Sequence, residues 1–251
     1  TVTSAVSFLN TGTVTLGDGG DSFTFTGGVA TSGNASNPSS TTVNGNVSTT
    51  NTALTLGTTS VGGNSTLDAG TNTITLGAAT LADGVTLTLG TGAGTTISAS
   101  SISGTAGGTA SNLTINTTGA ATVSGAVGTD IGTVTVTQSG GTTFQNTLNA
   151  STVTLTDTTG TVAFQGNATI GTLNTANKGY NVSMTGGSNT VTSAVSFLNT
   201  GTVTLGDGGD SFTFTGGVAT SGNASNPSSN TVNGNVSTTN TALTLGTTSV
   251  G

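Results

Sequence analysis

The chain has 251 residues, 42 of them Gly, with only 4% charged and a net charge of −7. Globular domains usually carry roughly 25% charged residues, so this surface is not built on charge. With a single Lys and no Arg, it lacks the cations that nucleic-acid binding or a polybasic membrane patch requires, and no apolar run approaches the ~18 residues that span a bilayer.

Along the chain, short runs alternate polar with β-branched or aliphatic residues, beginning at Thr13-Val14-Thr15-Leu16. A period of two rich in Val, Ile and Thr predicts strands with one face buried and one wet. The run leads into Leu16-Gly17-Asp18-Gly19-Gly20-Asp21-Ser22-Phe23-Thr24, which returns at Leu205 to Thr213. This segment resembles one turn of the calcium-binding nonapeptide of RTX proteins, with Leu16 in place of the first Gly. It makes Asp18, Asp21, Asp207 and Asp210 the candidate calcium ligands, against the alternative of a Gly-rich corner whose Asp cap backbone groups. Calcium takes six to eight oxygens, and such sites draw them from consecutive copies, whereas here one copy occurs per 189 residues.

Residues 27 to 40 then lose the alternation, and Pro38 with small polar neighbours predicts a surface loop. Strand runs resume at Leu54-Thr55-Leu56, Thr73-Ile74-Thr75-Leu76, Val85 to Leu89, Thr133 to Val136 and Thr152 to Leu155. Gly17, Gly57, Gly77, Gly90, Asn116 and Asn149 punctuate strand ends as predicted corners. Phe8, Phe23, Phe25, Phe144 and Phe164 read as filler of a narrow interior. Several Asn-x-Ser/Thr triplets, at Asn46, Asn64, Asn112, Asn116, Asn149, Asn167 and Asn181, are expected by chance in so Asn- and Thr-rich a chain.

A longer period links the strands. Val61, Leu81, Ile102, Val123, Phe144, Phe164 and Met184 recur every 20 or 21 residues, and Leu56, Leu76, Ile97, Ile115, Val136 and Leu155 run beside them. Two apolar ladders at one spacing predict a coil of about 21 residues per turn, with equivalent positions stacked into parallel sheets. From Met184 to Val250 the spacing is slightly too long for three such turns, which assigns the excess to the copy of the 27–40 loop.

Residues 190–251 repeat residues 1–62 with one change, Thr41 to Asn230. The organisation read from this is one complete solenoid unit, 1–189, of about nine turns, followed by the start of the next at 190–251. Fixed-period self-similarity marks stacked arrays. Since the second copy stops at Gly251, where the first continues into Gly63-Asn64-Ser65, an excerpt of a longer tandem array is expected, with further copies end to end as partners.

The ~20-residue turn, Thr-Val-Thr-Leu strands, Gly and Asn corners and absence of Cys resemble filamentous-haemagglutinin-like and autotransporter-type bacterial surface adhesins, over the whole chain. The resemblance implies an all-β fold, a right-handed parallel β-helix (β-solenoid), in an extracellular fibre or stalk. Related β-helices host polysaccharide-acting enzymes, but no His, Cys, Glu or Arg is present to build a triad or zinc site. An enzymatic role is not expected, nor a cofactor other than the candidate calcium. Ice binding by outward Thr is a remote alternative, because Thr occurs on strands all round the coil. The reading is a structural repeat of an extracellular fibre or adhesin, with lateral fibre contacts or glycans as further partners.

Overall fold

The computed structural model covers residues 1–251 and contains 28 strands and no helix. The chain winds as a three-sided β-solenoid whose turns pair in parallel with the turns above and below. The first face runs in register from Val6 through Val29, Leu54, Ile74 and Ile97 to Val182, Val203, Asn230 and Thr248. Its eleven steps are the eleven turns of the molecule. The second face carries Val14, Thr41, Thr59, Ala79, Ile102, Val127, Leu148 and Ala168. It continues one pleat on as Ile170, Val191 and Phe214. On the third face Phe23, Val47, Leu67, Leu89, Ile115, Val136, Leu155 and Thr175 form the column.

These residues form strands because alternation sends every second side chain inward, as in Leu54–Leu56 and Ser65–Asp68, where buried and half-buried residues alternate. The inward residues make one hydrophobic cluster of 51 buried positions along the whole axis. Phe144 and Phe164, on successive turns, stack with ring centroids 5.5 Å apart and planes 12° apart. Phe25 is buried as well, whereas Phe8 and Phe23 are only partly covered.

Corners are tight where they are glycine. Gly17 and Gly90 take positive φ, at 90° and 82°. Gly77 serves differently: a Cβ there would lie 2.7 Å from the carbonyl carbon and oxygen of Gly57 one turn above, so the close approach of turns requires glycine. Both copies of the 27–40 loop bulge out as expected, with first-face step Val203 to Asn230 taking 27 residues and the next, to Thr248, only 18.

The sequence ladders need one correction. Leu56, Leu76 and Ile97 lie on the first face, but Ile115, Val136 and Leu155 lie on the third. Likewise Val61, Leu81 and Ile102 belong to the second face, whereas Val123, Phe144, Phe164 and Met184 belong to the first. The irregular stretches around 90–95 and 105–110 lengthen corners without adding a face. A constant step of 21 residues therefore slides from one face to another there.

Candidate functional site

The Asp-Gly loop is set by its glycines. Residues 17–20 stand opposite the single residue Asn44 of the next turn, since Leu16 pairs with Val43 and Asp21 already with Gly45. Gly17, Gly19 and Gly20 all have positive φ, which lets the chain bulge out and return within one strand. Inside the loop the Asp18 backbone N–H donates to Asp21 Oδ2 at 2.9 Å, and Asp207 N–H donates to Asp210 Oδ2 at 2.8 Å. Asp18 and Asp207 are exposed, while Asp210 is 5% exposed.

In each loop the second carboxylate, Asp21 or Asp210, is thus turned onto the backbone of the first Asp and already accepts a hydrogen bond from it. The two loops sit on different corners, because Leu16 belongs to the second face and Leu205 to the first. No cluster of three or more His, Cys, Asp or Glu exists anywhere in the molecule. The remaining carboxylates are scattered. Asp68 Oδ1 accepts from Gly70 N–H at 3.1 Å, and Asp157 pairs with Lys178 at 3.3 Å on the open surface. One surface depression, between residues 207–209 and 233–235, includes the ionisable side chain of Asp207.

Tyr180 is the titratable group that joins the hydrophobic cluster. It is fully buried, its hydroxyl donating to the Leu155 carbonyl at 3.3 Å and accepting from Ala176 N–H at 2.9 Å. Burial pushes its pKa up to about 12, with hydrogen bonds from Ala176 and Thr175 pulling the other way. A phenol held neutral by burial and by backbone partners is a structural anchor.

What the solenoid does display is hydroxyl and amide groups in columns. On the third face, Thr66, Thr88, Thr114, Thr135 and Thr154 occupy consecutive turns, with Asn174 next. Two residues back along each strand, Thr86, Asn112, Thr133, Thr152 and Thr172 make a second outward column. The spacing is ~4.8 Å along the axis and ~6.7 Å across. The other faces carry single Ser/Thr columns, such as Thr55, Thr75, Ser98, Thr122 and Thr143 on the first. Thr thus faces outward on all three sides, as its distribution in the sequence suggests.

Neither protein-family models, nor curated protein sequences, nor solved structures gave a match to the chain.

A role invisible in the sequence belongs to asparagine. The Oδ1 atoms of Asn46, Asn64, Asn112, Asn167 and Asn181 accept backbone N–H groups of Thr66, Thr86, Thr133, Ser188 and Thr202, each one turn on, at 2.8–3.1 Å. Five of the Asn-x-Ser/Thr positions therefore tie successive turns together where the backbone ladder breaks. The signal was the position of Asn64, Asn112, Asn167 and Asn181 at or beside a strand start, which triplet matching does not weigh.

Proposed function

We propose that the chain is a structural segment of a long extracellular fibre or surface adhesin, of the filamentous-haemagglutinin or autotransporter kind. Its work in this reading is mechanical: a stiff, continuous rod that holds whatever it carries away from its anchor. The observation that carries the proposal is the seam between the two copies. The last turn of the first unit meets the second unit through the same parallel register as any other two turns, Val182 on Val203 and Met184 on Leu205 on one face, Asn189 on Phe212 on the next. Thr175 adds side-chain bonds across the third, accepting from Leu198 N–H at 2.8 Å and donating to Ser196 O at 3.1 Å.

A seam indistinguishable from the interior means that units add length without a joint, and stability accumulates along the axis. The open strand edges at either end of a stack are then covered by neighbouring units. A low-charge surface of hydroxyl and amide columns suits contact by hydrogen bonding and close packing, with glycans or with neighbouring fibres. Such contacts survive added salt, unlike electrostatic ones.

Cryo-electron microscopy of the native material tests this reading. Straight, unjointed filaments with a ~4.8 Å axial repeat are expected; separated beads would overturn it. Trypsin supplies a second check. Its one site follows Lys178, whose N–H donates to Ala176 O at 2.9 Å and whose carbonyl accepts from Thr200 N–H at 2.8 Å. The native rod should resist cutting there, and rapid cleavage would contradict a continuous coil.

A further inference from the structure

The repeat of the sequence and the turn of the coil are out of step. Val6, Val14 and Phe23 open the first copy on the first, second and third faces. Their counterparts Val195, Val203 and Phe212 lie on the third, first and second: Val203 stacks on Val182, and Phe212 on Asn189. Eight full turns separate Val6 from Val182 on the first face, and the chain crosses the second face at Val191 before reaching Val195. One 189-residue unit is therefore eight and two-thirds turns.

We infer that in a tandem array of these units every surface feature steps round the solenoid by one face per unit, so that each loop is presented on all three corners in rotation. The inference rests on the end-to-end stacking proposed above. Three units, or 26 turns, bring a feature back to the same side after ~125 Å, whereas successive units place it ~42 Å apart along the axis. The loop from Thr31 to Ser39 bridges the first and second faces, and its copy, Thr220 to Ser228, bridges the third and first.

Both copies keep the same internal bonds. Asn34 N–H donates to Asn37 Oδ1 at 2.9 Å, and Asn223 N–H to Asn226 Oδ1 at 3.0 Å. The loop is thus a preformed element, delivered unchanged to a new corner. The double Thr column is carried round in the same way, five turns per unit and never continuous down one side. Such a surface does not suit a single flat lattice such as ice. It suits partners that surround the rod, so that the fibre can be engaged from any direction by the same loop.

The phase can be measured within the 251-residue chain, independently of any longer array. The protein has no cysteine, so spin labels can be placed cleanly at Ala35→Cys, Ala224→Cys and Asp207→Cys, all at exposed positions. Ala35 and Asp207 share a corner eight turns apart, so their labels should be separated by little more than the axial rise of ~38 Å. Ala35 and Ala224 sit on different corners and should be separated by clearly more than their rise of ~42 Å. If the units were in phase, the order would invert: the Ala35 and Ala224 labels would stand at the rise alone, and the Asp207 pair would show the lateral offset. That result, or equal excess in both pairs, overturns the inference without touching the fibre reading. Should Asp207→Cys disturb its loop, Gln165→Cys on the same corner gives the same comparison.

Discussion

Residues 1–62 and 190–251 are nearly the same sequence and share most of their buried positions, from Val14 and Val203 to Val43 and Val232, yet their burial differs at opposite ends. Leu54 and Val61 are 0% and 1% exposed in the first copy; Leu243 and Val250 are 46% and 81% exposed in the second. At the other end the order reverses, for Phe197 is fully buried where Phe8 is partly exposed, and Asn199 is buried where Asn10 is exposed. The difference teaches that burial here is not encoded in a turn. It is supplied by the turn above and the turn below, and each copy lacks one of them.

The largest expected effect breaks that pairing. Phe197 packs edge-on against Phe214 at 6.5 Å and 82°, and Phe197→Ala should cost about 3–5 kcal/mol in a denaturant melt. Phe8→Ala, the same change in the uncovered copy, should cost less than half as much. Leu54→Ala should likewise cost about 2–5 kcal/mol and Leu243→Ala far less. Extending the chain past Gly251 with a copy of residues 63–124 would sharpen the test, because Leu243→Ala should then become as costly as Leu54→Ala. Equal costs in the unextended protein would mean that the turns are stable singly.

Titration should give the next largest effect, with no counterpart in either copy, because Tyr180 lies in the stretch between them. Its folded pKa is raised to about 12 from 10, so the neutral phenol is favoured in the fold. The stability this represents is present below pH 10, where both states are protonated. Above pH 10 the unfolded chain ionises first, so stability falls through the window from 10 to about 12, by about 3 kcal/mol in all. Melting temperatures should therefore decline as the pH rises beyond 10. Tyr180→Phe should remove that decline while lowering stability at neutral pH, since Ala176 N–H and Leu155 O lose their partner.

The strands, the parallel coil, the bulging loop and the aromatic filling were legible because each is a local pattern: alternation, glycine at corners, small polar residues around Pro38. The phase of the coil was not. Nothing local in Ile97 or Ile115 says that they lie on different faces; that follows from irregular corners whose length only the closed coil fixes. The Asp-Gly loop could be read as a glycine corner, but its three-residue bulge against Asn44 depends on the neighbouring turn. The asparagine bonds escape for the same reason, since their partner is about twenty residues away and adjacent only after winding.

Asparagine offers a finer form of the comparison. Asn46 Oδ1 accepts from Thr66 N–H at 3.1 Å, whereas its counterpart Asn235 is exposed, with no turn beneath it. Asn46→Ala should cost about 1 kcal/mol and Asn235→Ala nothing measurable. Hydrogen exchange at the Thr66 amide reports the bond directly: exchange should quicken in Asn46→Ala, and an unchanged rate would mean that the side chain is not its partner.

The smallest effect is expected where other proteins would look first. Lys178 is the single cationic side chain, and its pair with Asp157 spans 3.3 Å with 52% and 57% of the two side chains exposed. Solvent screens such a pair, and Lys178→Ala should change stability by less than about 0.5 kcal/mol. Raising salt should move the melting temperature of the two proteins alike, since a pair this exposed is already screened by solvent. A larger loss, or a salt dependence that disappears with the Lys, would show charge holding together a rod whose turns are otherwise joined by backbone ladders, stacked apolar columns and asparagine.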